Sequence, residues 1–481
     1  MTEERPAGTP VLRRMNRAAV LDAVRRRAPE PVRVAELARL TELTRPTVAQ
    51  AVEDLLAAGW LRQHAPRPAA GDGTGRTVGR PATRFSLNGR AAPVLGLDVG
   101  PHTVTAGIAD LAGERLAVIR RPVGRRGARH LLEAVDGATG EALAAAGLAA
   151  GQITAVTAAT PGIVEVSTGR VLFAPSVPGW SEIDLAGRLR ARFRCPVTVE
   201  NDADLAALAA VHQRAGTGTL LAVQWGERLG AGVVIDGRLH RGAGQAGEIG
   251  FIRPIGGLPT GGLPIGGLPI GGLPIGGLPI GGLPIGGLPT GGLPTGERPT
   301  GDVPVGDFPG RDLPDSDVPH RDLPDRDVPA GGLSGGAGAG AGDGRGPLEL
   351  AIGAAAIVDL ARRRAAEHPE SELARAADAA AVFAAAAGGD PIAADVVDRV
   401  AAVFAAAIAP AVLVLSPHTI VIGGGIARAG AVLLDAVARH LEELTLTPPG
   451  VELLELAEGA VLTGAIQMAL DEVWRTTLTV C

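Results

Sequence analysis

The apolar residues of this chain fall into two rhythms. Near the start they recur every three or four positions, the spacing of one helix face. Ala19, Val20, Leu21, Ala23 and Val24 give such a face to residues 16–27, and Pro29 and Pro31 end that helix. A second short helix fits residues 34–40, and Thr41-Glu-Leu43 reads as a turn. Thr44 is a good N-cap, because its hydroxyl can accept from the first unpaired amides, and Pro46 sits inside the first turn, where a missing N–H costs little. The third helix is predicted from Pro46 to about Ala58. It buries Val48, Val52, Leu55 and Leu56, with Gly59 as its stop. Residues 60–62 and 83–87 read as two wing strands around a polar, Gly-rich tip. The pattern predicts a mostly α winged helix-turn-helix over residues 1–90.

Beyond residue 90 the second rhythm takes over: short apolar runs of buried strands alternate with Ala-rich helical stretches. Strands are predicted at 94–100, 103–111, after the turn at 112–114, and at 153–160, 197–200, 220–225 and 231–235. Asn201-Asp-Ala-Asp204 leads from strand to helix, residues 226–230 make a hairpin turn, and residues 419–426 run strand, Gly turn and helix start. These are two α/β halves with Gly turns facing a cleft, over residues 91–253 and 347–478. Between them the rhythm breaks. From Pro254 to Pro329 proline falls at every fifth residue, first in Gly-Gly-Leu-Pro-Ile or -Thr, later in forms such as Arg-Asp-Leu-Pro-Asp. A Gly/Ala run follows to about Gly346. Each Pro breaks helix and removes a ladder donor, and each Gly pair raises the entropic cost of order. Residues 254–346 are therefore read as a disordered, elastin-like insert, either a linker or self-association segment or a tolerated repeat expansion.

Charge then sets the head apart. Residues 1–90 hold 16 Arg against 9 Asp plus Glu, a balance of +7, so the rest must sum to −13 for the net charge of −6. That is a phosphate-binding footprint on the head alone. A recognition helix presents its N-terminal residues to the major groove, here Thr44, Arg45, Thr47 and Gln50. Arg suits guanine and Gln suits adenine, while Arg67, Arg76 and Arg80 of the wing tip suit backbone phosphate. The chain has no Lys, no Tyr and only Asn16, Asn88 and Asn201 as asparagines. Part of the Arg count is therefore compositional bias, and a surviving Asn points to chemistry. Two cysteines, Cys195 and Cys481, exclude a disulfide framework and a Cys-rich zinc site. Neither a signal peptide nor an apolar run of membrane-spanning length is read, so a cytoplasmic protein without membrane attachment is expected.

These residues together resemble the ROK family (repressors, open reading frames, sugar kinases), in the transcription-factor branch that includes xylose and N-acetylglucosamine repressors. The stretches that carry the likeness are residues 14–21, 37–59, Gly79-Arg-Pro-Ala82 before Leu87-Asn88, and residues 95–113. They continue, in family order, with Pro161-Gly-Ile-Val164, Val177-Pro-Gly-Trp180, Val199-Glu-Asn-Asp-Ala203, Gly230-Ala-Gly232, residues 244–250 and residues 422–426. They cover nearly everything outside the insert.

The resemblance implies an actin-like, ribonuclease-H-like body that binds a sugar between two lobes. It makes Asp202 the match to the base that deprotonates the attacking sugar hydroxyl in family kinases, a role a carboxylate can fill during phosphoryl transfer. It gives Asn201 a hydrogen bond to the sugar, and makes Glu248 and Glu349 the matches to the sugar-binding carboxylates. Asp98, Gly100, Gly230, Gly232, Gly424 and Gly425 match the phosphate loops. Two departures stand out. Asp98-Val-Gly-Pro-His-Thr103 replaces Asp-x-Gly-Gly-Thr, and Pro101 has no amide to offer a phosphate. Gly226-Glu-Arg-Leu-Gly230 replaces Gly-Thr-Gly-Ile-Gly and puts a carboxylate where phosphate charge would lie. The family's zinc site is absent as well, with Phe251 at the His position, Pro347 at the last Cys, and no Cys between. The expectation is a sugar-responsive repressor without zinc or ATP, a homodimer that binds an operator and a sugar or sugar-phosphate effector. Two alternatives stay open: an active sugar kinase with an appended head, and a degenerate paralogue that binds DNA without sensing sugar.

Overall fold

A computed structural model describes residues 8–65, 83–124, 127–214, 218–254, 344–368, 370–454 and 459–480. The head opens with α1 (Gly8–Arg27), which begins two turns before the predicted start. Those turns carry Val11, Leu12 and Met15 in solvent, so no burial rhythm marked them. The strand β1 (Val32–Arg33) leads into α2 (Val34–Thr41), and after the turn comes α3 (Arg45–Ala57). Thr44 caps α3 as expected: its hydroxyl accepts from the Thr47 amide at 3.4 Å. Gly59 sits past the end at φ 81°, the left-handed stop that favours glycine. The wing strands β2 (Leu61–His64) and β3 (Arg84–Leu87) pair antiparallel. β1 adds to the far edge of β3, a third strand too short for sequence periodicity to reveal.

The first lobe is built from β4 (Val94–Val99), β5 (Thr103–Ala109), β6 (Arg115–Pro122), α4 (Ala128–Ala146), β7 (Ala155–Thr160), the ribbon β8 (Ile163–Glu165) and β9 (Arg170–Phe173), α5 (Leu185–Phe193) and β10 (Val197–Asn201). Its sheet runs β10-β7-β4-β5-β6, with β4, β5 and β6 antiparallel and β7 and β10 parallel to β4. The helix α6 (Asp202–Arg214) follows. The second lobe repeats the plan: β11 (Leu220–Trp225), β12 (Leu229–Ile235), β13 (Arg238–His240), α7 (Pro347–Ile352), α8 (Ala354–Glu367), α9 (Ala379–Ala387), α10 (Pro391–Leu415), β14 (Thr419–Gly423), α11 (Ala431–Leu444), β15 (Gly450–Leu453) and α12 (Ala460–Val480). Its order β13-β12-β11-β14-β15 is the first sheet's order again. The two halves read from the sequence are thus two copies of one topology. The hairpin strand expected from Ala231 starts at Leu229, because Leu229 pairs with Trp225 and narrows the turn.

One expectation needs correcting. The sequence was read as lacking an apolar run of membrane-spanning length, yet α10 has that length and composition. It is instead a core helix. Phe404 stacks on Trp225 at 4.4 Å, and α8, α9 and α11 pack around α10, so its apolar faces serve the second lobe.

The two lobes meet through helices. α6 lies on β11 and β12, α12 lies on β4 and β7, and the helices pack on each other. Gly464 sets how close they come: a Cβ there would lie 1.8 Å from the Leu205 carbonyl oxygen. Further along α12, Leu470, Val473 and Trp474 enter the same buried cluster as Val20, Leu21 and Leu55 of the head. The Arg25 guanidinium lies over the Trp474 ring at 5.1 Å. The head therefore shares its core with the body.

Candidate effector site and DNA-reading head

A cavity of about 300 Å³ opens where β10 hands over to α6, opposite the β11–β12 turn and the start of α7. Asn201, Asp202, Glu248 and Glu349 all line it, from three separate regions of the chain. Asn201 ends β10, and its side chain starts α6. Its Oδ1 accepts from the amides of Ala203 at 2.8 Å and Asp204 at 3.3 Å, while Nδ2 donates to the Gly162 carbonyl at 2.9 Å. The Asn thus caps a helix and ties down the loop across the cavity. Asp202 uses one carboxylate oxygen to accept from Ala203 at 2.8 Å. Among the described residues no side chain engages the other. Burial pushes the Asp202 carboxyl up to about 6. Burial, then the charges of Asp202 and Glu349, push Glu248 up to about 7. Asp98 rises to about 7 by burial and by Asp202, but it is not part of the cavity lining.

Glu349 lines the cavity with its carboxylate already engaged. Its Oε1 accepts from the Leu229 amide at 2.9 Å; its Oε2 accepts from the Gly346 amide at 3.0 Å and from Arg228 at 3.2 Å. Both oxygens already hold the β11–β12 turn to the start of α7. Arg228 is a residue the sequence reading passed over, as is Arg241, which pairs with the buried Glu200 at 2.6 Å. Asp204 beside them is raised by burial first and then by Glu200, and its Oδ1 is buried without a partner. An Arg in a chain rich in this residue type gives no signal by itself; only the fold brings it to the carboxylates.

In the expected phosphate loops, several amides and glycines are engaged within the protein. The Gly100 amide donates to the Thr103 carbonyl at 3.0 Å, and the Gly226 amide donates to the Arg228 carbonyl at 2.9 Å, so neither is free for a phosphate. A Cβ on Gly232 would lie 2.4 Å from the Ala207 Cβ, and one on Gly424, at φ 81°, 2.6 Å from the Trp225 carbonyl oxygen. Those glycines are required by α6 and by the backbone of β11. Gly230 meets the Ala203 Cβ at 3.4 Å, and Gly425 faces open space. His102 of the first lobe reaches Glu227 of the second at 3.1 Å, so the altered residues of the two loops pair with each other.

In the head, Thr44, Arg45 and Gln50 are exposed and Thr47 half-buried at the start of α3. Gln50 donates to Asp54 at 3.1 Å. Arg67, Arg76 and Arg80 lie outside the described residues. Of the remaining asparagines, Asn88 donates to the Gly59 carbonyl at 2.7 Å and joins the wing's end to the end of α3.

Residues 94–265 and 343–472, more than half of the chain, match the ROK family. The chain belongs to the ROK family. Residues 12–73 match the MarR family, which makes the head a MarR-type winged helix on a ROK body. A glucokinase of Halalkalibacterium halodurans is 26% identical over 364 residues, 73% of this chain and 86% of that protein. The xylose repressor of Caldicellulosiruptor bescii is 25% identical over 221 residues, 45% of this chain and about half, 53%, of the repressor. A ROK family transcriptional regulator of known structure, a homolog of the E. coli MLC protein, shares the fold from head to α12. Its TM-score is 0.63 at 20% identity, over 97% of this chain and 99% of that one.

At the positions where the ROK resemblance implies zinc and ATP, this chain carries other residues. Zinc would need the His and Cys positions that Phe251 and Pro347 fill, and Pro347 here starts α7. Among the described residues no three His, Cys, Asp or Glu side chains converge on a metal position. ATP would need backbone amides at its phosphates, and those at Gly100 and Gly226 are spent on their own turns.

Proposed function

We propose that this ROK protein is a cytoplasmic repressor that holds operator DNA through α3 and the wing, and lets go when a sugar or sugar phosphate fills the cavity. The observation that carries the reading is a continuous packed route. Asp202 in the cavity begins α6, α6 packs on α12 at Gly464, and α12 carries Trp474 into the core of the head. A ligand that favours one arrangement of the lobes over another shifts the head with them. The protein acts as a homodimer, since two half-sites one turn apart need two heads. It works without zinc or ATP.

Gel-shift titrations of the full chain against genomic fragments test this. Binding is expected to be specific, to weaken steeply with salt, and to be relieved by a sugar. Asp202→Ala should keep DNA binding and lose the sugar response. Absence of salt-sensitive specific binding, with and without sugars, overturns the proposal. One observation favours a sugar kinase as a second reading: the unengaged oxygen of Asp202, which could take a hydroxyl proton. Sugar-dependent ADP release that vanishes in Asp202→Ala would establish it.

A further inference from the structure

The cavity lining is of two kinds. Asn201, Asp202 and Glu248 are among its polar side chains, and Ile163, Phe173, Pro175 and Phe251 among its apolar ones. Phe251 is 46% exposed and lines the cavity. It stands on the 3-10 turn Ile249–Phe251, directly after Glu248, whose carbonyl accepts from the Phe251 amide at 3.2 Å. The ring and the carboxylate thus line one cavity from one turn. Gly344 and Gly346 sit close against this lining. A Cβ on Gly344 would lie 2.2 Å from the Pro175 Cβ and 3.5 Å from the Phe173 ring, and one on Gly346 2.8 Å from the Phe251 nitrogen. The cavity's volume, about 300 Å³, falls in the range of pockets that bury drug-sized ligands.

A free monosaccharide carries hydroxyls around its ring. Hydroxyls set against Phe251, Phe173 and Pro175 would lose water and gain no partner, which is costly. A glycoside resolves the mismatch, because its sugar meets carboxylates and its aglycone meets rings. We infer that the effector is a glycoside carrying an aryl or alkyl aglycone, with sugar hydroxyls on Asn201, Asp202 and Glu248 and the aglycone against Phe251, Phe173 and Pro175. The inference rests on the sugar-site reading of this cavity.

Calorimetric titration of the full chain with matched methyl and 4-nitrophenyl glycosides of glucose, xylose and N-acetylglucosamine tests it. For at least one sugar the nitrophenyl glycoside should bind on the order of tenfold more tightly than the methyl one, the return for burying an aromatic face. It should also release operator DNA at correspondingly lower concentration. Phe251→Ala should shrink that ratio to about two, and Phe251→Leu should leave it between these values. The exposure of Phe251 means that neither change removes a core contact. Equal binding of the two glycosides, or a ratio that Phe251→Ala leaves intact, overturns the inference while sugar sensing stands. Failure of every glycoside and every free sugar to bind overturns the sugar-site reading and this inference with it.

Discussion

Asp202 and Glu248 show how burial raises a carboxyl, helped at Glu248 by the charges of Asp202 and Glu349. Both are raised, so between about pH 4 and pH 7 the folded protein holds protons that the unfolded chain has released. Stability supplied by these groups is full below about pH 4 and is lost as pH rises from there to about 7. The melting temperature should therefore fall by a few degrees over that window, and Asp202→Asn should flatten the fall, as seen by calorimetry across pH. Arg228 makes a second case. Removing it leaves Glu349, 6% exposed, with its two amide partners and no countercharge. Arg228→Ala should cost about 2 kcal/mol in denaturant unfolding, discounted from a fully buried pair because Arg228 itself is partly in water. At this scale the sequence showed which carboxylates lie in family register. It could not show that Glu349 is already taken, since Arg228 and Glu349 are brought together only by the fold.

Among the elements, α3 was legible almost to the residue, because its signals are local: a Thr cap, a Pro in the first turn, a Gly stop. The side chains at its start, Arg45 and Gln50, are exposed and outside the head's core. Arg45→Ala or Gln50→Ala should therefore weaken operator binding by about ten- to a hundredfold with the melting temperature unchanged, read by gel shift and thermal melt together. The glycines of the presumed phosphate loops were legible as turns but not as to purpose. Gly232 and Gly424 are fixed by atoms from distant elements, Ala207 and Trp225, that no local motif can announce. The exposed start of α1 and the two-residue β1 escaped notice for a related reason: neither buries enough of its own side chains to leave a period.

For the whole molecule, the main addition of the tertiary structure is α12. Leu462 and Ile466 fit against Gly107 and Gly96 of the first sheet, Gly464 admits α6, and Trp474 completes the head. Trp474→Ala should remove about 3 kcal/mol or more of shared core and split one calorimetric unfolding transition into two, with the head melting first. A single transition at lower temperature would mean that head and body remain joined by other contacts. Local chemistry along the chain determined the winged head, the two α/β halves, the break between them and the family, because caps, turns, apolar period and motif order all act over a few residues. Tertiary structure decided which carboxylates are free, which glycines are packed, what faces the cavity and how the head is held. Those outcomes depend on distances between residues far apart in sequence, such as Arg228 to Glu349 and Arg25 to Trp474, which close only when the lobes and α12 come together.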